Sequence, residues 1–371
     1  MDFNANPFIV IWETTQACDL ACLHCRASAQ PVRDPRELST AEARQLMDRI
    51  REMGPPLFVL TGGDPLKRPD TIPLVEYGTS IGLRVALTPS GTPLMTPSVL
   101  ASLRDAGLAR LAVSLDGSCE AIHDRFRGVP GSFAWSLRML RAARELGLST
   151  QVNTTISRDN VGDVEPLIAL MRELDIALWS VFVVVPTGRG HTGQLPTADE
   201  LESVFERLYE VSLTSSFDIK TTAAPHYRRV VLQRQRASRR AASSPAGAAP
   251  QHDAIGRSRG VNDGNGFVFV SHRGEIYPSG FMPVSAGNVR TDDLATVYRT
   301  HPLFTALRDA DRLEGKCGAC EYRWVCGGSR SRALALTGNA HAEDALCAYI
   351  PPAWAQRTAN GDRLTTGGTA A

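Results

Sequence analysis

From residue 7 to about 213, short β-rich runs alternate with segments of helical period, the pattern of a parallel sheet built from βα units. Six units are readable. Strands are expected over Pro7–Glu13, Pro56–Leu60, Leu83–Leu87, Ala109–Leu115, Thr150–Thr155 and Leu178–Val185. Helices are expected over Thr40–Met53, Thr71–Ile81, Pro97–Ala106, Ser132–Leu146, Val161–Leu174 and Ala198–Val211, the first opened by Ser39 as a cap. The strand runs are apolar on both faces, as buried parallel strands are. Polar and glycine-rich motifs follow their C-terminal ends: a cysteine triplet, Thr61-Gly-Gly-Asp-Pro, Thr88-Pro-Ser-Gly, Ser114-Leu-Asp-Gly, Asn153-Thr-Thr and Pro186-Thr-Gly-Arg-Gly. Barrel and open α/β folds build their sites from loops at that end, so one face should collect the chemistry.

The 371 residues suffice for two domains. Forty basic against 39 acidic residues leave a formal charge of +1, too little for a global field that would gather nucleic acid or a membrane surface. No run of about 18 apolar residues is present, and the N-terminus lacks the basic and apolar regions of a secretory signal. A cytoplasmic location is expected. In that reducing compartment the eight cysteines are better read as ligands than as disulfide partners. Cys18, Cys22 and Cys25 form C-x3-C-x2-C; Cys317, Cys320, Cys326 and Cys347 form C-x2-C-x5-C-x20-C; Cys119 stands alone as a non-ligand thiol.

A cluster that only carries electrons asks for four protein ligands. The triplet supplies three, and a position left open at a metal centre is where chemistry takes place. Zinc would need a fourth ligand, for which His24 is the candidate, poorly placed inside the triplet. The triplet directly after the first strand, joined by Gly62-Gly63-Asp64-Pro65 after the second and Ser114-Leu115-Asp116-Gly117 after the fourth, resembles the radical S-adenosylmethionine (SAM) superfamily. Asp64 stands where that family commonly has Glu. The resemblance implies a partial (β/α)6 barrel in which Cys18, Cys22 and Cys25 bind a [4Fe–4S] cluster. It further implies that the free iron chelates SAM, and that one-electron reduction splits SAM to a 5′-deoxyadenosyl radical that abstracts hydrogen from a substrate. Gly62, Gly63, Asp64 and Pro65 are then expected at SAM, with Thr88, Ser114 and Asn153, although loop hydrogen bonds serve equally well for each of these three. No catalytic side chain beyond the cluster ligands is assignable.

Four C-terminal thiolates close a site, and spacing alone leaves zinc and [4Fe–4S] even. The context, Gly287-Asn-Val and a short helix before the cysteines, is similar to the SPASM or twitch domains of radical SAM enzymes. That likeness implies one auxiliary [4Fe–4S] cluster on Cys317, Cys320, Cys326 and Cys347, because Arg330 and Ser279 stand where further cysteines are common. The pattern is most similar to the tetrapyrrole-modifying branch, the haem decarboxylase of the alternative haem pathway and the haem d1 enzyme. It implies oxidative decarboxylation or side-chain modification of a tetrapyrrole such as an iron porphyrin, with the auxiliary cluster accepting the leftover electron and a flavodoxin- or ferredoxin-like donor supplying the first. A radical SAM maturase of a peptide is the nearest rival; a non-catalytic haem- or metal-binding protein is the rival of another class.

The expected organisation is a barrel over residues 1–215, a bridging segment with an Arg/Ala/Ser-rich loop over 216–265, the SPASM/twitch-like domain over 266–350, and a disordered tail over 351–371. Between Gln233 and Gly260 six arginines and many small residues suggest a mobile linker or lid. Gly266–Val270 and Glu275–Tyr277 suggest a hairpin. Arg189, with a planar fork suited to a carboxylate, and His226 and Tyr227 are candidate substrate contacts, His226 also as an axial ligand of a haem-type iron. A surface arginine and a capped loop are the equal alternatives. Trp324 is expected to shield the auxiliary site.

Overall fold

The computed structural model describes residues 2–54, 57–242 and 260–359. Seven parallel strands form the expected sheet: β1 (Ile9–Glu13), β2 (Leu57–Thr61), β3 (Arg84–Leu87), β4 (Arg110–Ser114), β5 (Thr150–Ile156), β6 (Leu178–Val183) and β7 (Asp218–Thr222). β8 (Phe267–Val270) and β9 (Ile276–Tyr277) are the expected hairpin, but β8 lies parallel beside β1, Ile9 opposite Phe267, so the hairpin extends the main sheet. The order is β7-β6-β5-β4-β3-β2-β1-β8-β9, and β7 and β9 are its two edges. It is a partial barrel.

Eight helices follow the strands: α1 (Thr40–Glu52), α2 (Thr71–Ser80), α3 (Pro97–Asp105), α4 (Glu120–Arg127), α5 (Ser132–Glu145), α6 (Val164–Leu174), α7 (Ala198–Ser212) and α8 (His226–Ala242). Ser39 and Glu42 form a reciprocal cap on α1, and Thr197 and Glu200 do the same on α7. Strand period 2 sorts the side chains. Val10, Trp12, Phe58, Leu60, Val85, Leu87, Leu111 and Val113 point outward into the core under the helices. Their neighbours Ile9, Ile11, Leu57, Val59, Ala86 and Ala112 face the concave side, where they wall a cavity.

Two expectations are corrected here. Residues 233–242 are the second half of α8, not linker, because Arg229 and Arg234 reach Glu202 and Glu206 of α7 (2.5 Å each) and hold the arginine-rich helix against it. The rest of that expected loop, 243–259, lies outside the described residues. Part of the expected disordered tail, Pro352–Ala359, is a helix entered through proline, whose fixed φ suits the first turn; residues 360–371 lie outside the described residues. Among the described residues no helix is long and apolar enough to cross a membrane.

Candidate active site: two cysteine cavities and a chamber between them

Cys18, Cys22 and Cys25 lie on the loop after β1, and all three line one cavity at the C-terminal ends of the strands. The loop is gripped by its neighbours' backbones. Cys18 N–H donates to Gln30 O (2.8 Å), Gly63 N–H to Thr15 O (2.7 Å), Asp64 N–H to Ala17 O (2.6 Å) and Arg189 N–H to Cys25 O (2.9 Å). Such contact demands glycine on both sides. A Cβ on Gly63 would sit 2.4 Å from Ala17 O, and one on Gly188, whose φ is +66°, 2.4 Å from Cys25 O.

The same cavity is lined by Gly62, Gly63, Thr88, Ser114, Asn153 and Arg189, so the structure brings together five of the seven residues expected at SAM and one expected at substrate. Asp64 and Pro65 do not line it. Asp64 is fully buried and its carboxylate turns inward, accepting from Thr92 Oγ1 (2.8 Å) and from Leu66 N–H (3.1 Å), where it caps a short helical turn begun by Pro65. It ties the loops after β2 and β3 together; its backbone, not its acid, faces the cysteine loop. Arg189 Nε donates to Cys22 O (2.9 Å), which leaves its Nη2 buried without a partner. Arg127, from α4, pairs with buried Asp116 and reaches Cys22 Sγ at 3.5 Å. Burial pushes the Cys18 and Cys22 thiols up, and Arg127 opposes this at Cys22. Arg127 was missed in the sequence because α4 was missed.

A second, larger chamber of about 440 Å³ continues down the concave face from the first. Arg26, Thr61, Thr88, Asn153, Phe182 and Phe281 line both, so the two communicate without a wall. Its sides are aliphatic and aromatic: Ile9, Ile11, Leu57, Val59, Ile219, Phe267 and Phe269. Arg26, over the Phe269 ring at 4.4 Å and paired to Glu13 at 3.2 Å, sits at the junction.

Cys317, Cys320, Cys326 and Cys347 all line a third, small cavity. It is walled by α8. His226 and Arg229 face this cavity while Tyr227 and Arg228 face the chamber, so one helix separates the two spaces. The placement of His226 corrects the expectation of a substrate or axial contact. Its ring is 1 % exposed, stacks on Phe205 (5.8 Å) and approaches Asp344 (3.1 Å), which Arg332 also holds at 2.7 Å. Tyr227 lines the chamber with its hydroxyl turned back toward Leu208 O (3.5 Å). Trp324, expected as a shield, is 42 % exposed and outside the cavity lining; Tyr349 lines it instead. Arg330 is buried with Nη2 3.8 Å from Cys317 Sγ, a cation beside the thiol set rather than a ligand. Cys119 is exposed and free.

A family model described as the radical SAM superfamily matches residues 12–171, which contain the cysteine triplet and the Gly-Gly-Asp-Pro loop. An AdoMet-dependent heme synthase of Oleidesulfovibrio alaskensis is 40% identical over 92% of this chain and 87% of its own. This chain belongs to the radical SAM superfamily. Another AdoMet-dependent heme synthase, of Methanosarcina barkeri, is 38% identical over 93% and 97%. Among solved structures, Streptococcus suis SuiB bound to S-adenosylmethionine superposes with a TM-score of 0.72 over 93% of this chain and 78% of its own, at 15% identity, a likeness of fold.

The radical SAM family implies a [4Fe–4S] cluster and SAM, and the first cavity suits both. Three free thiols face one space, glycines keep side chains out of its rim, and Arg189 presents an unused donor there. Among the described residues no three His, Cys, Asp or Glu converge as donors to a single ion. A cubane asks for a different arrangement, with thiolates spread around it and each facing its own iron.

Proposed function

We propose that this radical SAM enzyme acts on a tetrapyrrole, an iron porphyrin carrying propionate side chains, and removes or oxidises such a side chain. The observation that carries this is the chamber: largely apolar in its walls, open to the cysteine cavity and, at about 440 Å³, within the range of about 300–1,000 Å³ that substrate sites ordinarily enclose. The names of the relatives agree with it. Cys18, Cys22 and Cys25 would hold the cluster, with Gly62, Gly63, Thr88, Ser114, Asn153 and Arg189 around SAM. When bound and reduced, that pair supplies a 5′-deoxyadenosyl radical competent to take a hydrogen atom.

This chain's own residues position and exclude. Phe182 and Phe281 line both cavities at the junction, and would shield the place where substrate and SAM meet from water. Thr88 and Asn153, polar and shared by both spaces, orient the two guests against each other. Behind α8, Cys317, Cys320, Cys326 and Cys347 would hold a second [4Fe–4S] cluster, whose chemistry is one-electron transfer. A flavodoxin- or ferredoxin-like protein is the proposed external donor.

Anaerobic reconstitution, iron and sulfide counting, and assay of 5′-deoxyadenosine with dithionite test this, in wild type and in the Cys18/Cys22/Cys25→Ala triple variant. About eight irons in wild type and about four in the variant are expected, as two cubanes become one. With iron coproporphyrin III present, wild type should release carbon dioxide and the variant none. Absence of SAM cleavage in wild type, or cleavage without any change in the porphyrin, would overturn the proposal.

A further inference from the structure

Besides Arg26 at the junction, three further cations line the largely apolar chamber. Arg110, at the first residue of β4, Lys220, in the middle of β7, and Arg228, in the first turn of α8, all line it. None is in an ion pair among the described residues. Arg110 Nε donates to Ser149 Oγ (3.2 Å), and neither Lys220 nor Arg228 has a side-chain partner there. The one carboxylate in the described lining, Asp263, is already engaged by Ser331 N–H (2.8 Å). Burial depresses all three cations, and Arg110 adds to the effect at Lys220. Asp218 acts on Arg110 and Cys326 on Arg228, but neither forms an ion pair or hydrogen bond with its cation, and Lys220 feels only the like charge of Arg110. Cations are costly to hold in apolar surroundings without paired counter-charges, so three lining one chamber mark a place where an anion arrives from outside the chain.

We infer that Arg110, Lys220 and Arg228 form an anion-binding floor that takes the substrate's carboxylates and so selects which part of the substrate lies under the cysteine cavity. This rests on the tetrapyrrole reading and specifies its recognition. The distance supports it. Arg110 and Ser114 open and close β4, four residues apart, which at about 3.3 Å per residue separates floor from SAM cavity by about 13 Å. A porphyrin with one propionate extended is of that length. With carboxylates anchored below, the opposite edge of the ring is carried up to the junction at Thr88 and Asn153. Arginine and lysine divide the work: the planar Arg110 fork pairs a carboxylate side by side, and the Lys220 ammonium serves as a point charge.

The test compares anaerobic binding of iron coproporphyrin III, with four free carboxylates, and of its tetramethyl ester to the cluster-loaded protein, followed at the Soret band. Wild type should prefer the acid by 100-fold or more, and Lys220→Met and Arg110→Gln should each reduce that preference about 10- to 100-fold through loss of a charge-assisted contact. Affinity for the ester should stay the same in both variants, which a merely misfolded chamber would not allow. Lys220→Arg should keep the preference. If acid and ester bind wild type alike, or the variants keep the full preference, the floor is refuted while the tetrapyrrole reading stands. If neither porphyrin binds wild type, both fall.

Discussion

Replacing Lys220 with methionine should stabilise the substrate-free protein at neutral pH even though it removes a binding group. Burial in the chamber wall, with Arg110 nearby, holds the Lys220 ammonium down at about 8. Against about 10.4 in the unfolded chain this corresponds to roughly 3 kcal/mol of preference for the neutral form. Below pH 8 the ammonium is charged in both states and the folded protein carries the whole penalty. Between about 8 and 10.4 the folded chain releases its proton while the unfolded chain keeps it, so unfolding takes up protons and wild-type stability rises with pH. Above that window both forms are neutral. Tyr227, which faces the same chamber, is held up at about 12 and stays neutral across most of this range; Arg110 and Arg228 stay cationic. Methionine matches the lysine stem without the charge. The Lys220→Met variant should therefore melt about 4 °C above wild type at pH 7, from roughly 3 kcal/mol spread over the unfolding entropy of a chain this size. The gap should shrink through pH 8–10 and close above it. Thermal unfolding of both proteins, cluster-loaded and anaerobic, across that range is the assay. A variant that melts lower at pH 7, or a gap that does not change with pH, would refute the reasoning.

Gly63→Ala should force the loop after β2 away from Ala17 and weaken SAM binding at least tenfold, about 1.4 kcal/mol, in equilibrium dialysis; unchanged affinity would mean that the close approach is irrelevant to SAM. Arg332→Met strips the buried Asp344 of its stronger partner, and unpaired buried charge costs about 3–5 kcal/mol. Since Asp344 also accepts from Ser329 N–H and Leu346 N–H beside the second thiol set, this variant should melt lower and lose about four irons while keeping the other four; full iron retention would detach that network from the cavity. Arg189→Lys removes the fork that spans Cys22 O and the unused Nη2 position, and should raise the SAM concentration needed for half-maximal 5′-deoxyadenosine formation about tenfold with iron content intact.

Six of the strands β1–β7 were legible, five as runs dominated by apolar residues and β5, Thr-Gln-Val-Asn-Thr-Thr-Ile, by its β-branched residues. β7 was not: Asp-Ile-Lys-Thr-Thr is polar because it is an edge whose inner face meets the chamber. α4 is only eight residues long, and its signals, buried His123 and Phe126 three apart and Gly128 in the left-handed conformation after them, are individually weak. The cysteines and glycines of the site were readable from local spacing, since a loop that hugs a loop needs glycine whatever the rest of the chain does. Arg110 was not, nor was a role for the charge of Lys220. Attention falls naturally on the C-terminal ends of the strands, whereas these two lie deeper, and whether a strand's charged residue faces a void or a helix is decided by curvature, which no local pattern carries. His226 illustrates the converse: its neighbours in sequence point into the chamber, while it stands one helical step round, on the other side of the wall.

The sheet ends at β7 and β9 without the two edges meeting, although residues of β7 and of β8, next to β9, line the same chamber. In a closed barrel, strand number and stagger dictate the bore, and a wider guest would require an added strand and a new register throughout. Here one side of the bore is set at a seam. A shift in how α8 or the β8–β9 hairpin docks could enlarge or tighten the slot while the six inner strands, and with them the cysteine loop, keep their places. Part of what sets guest size is therefore inherited apart from the radical chemistry, and selection can alter that part without retuning the rest.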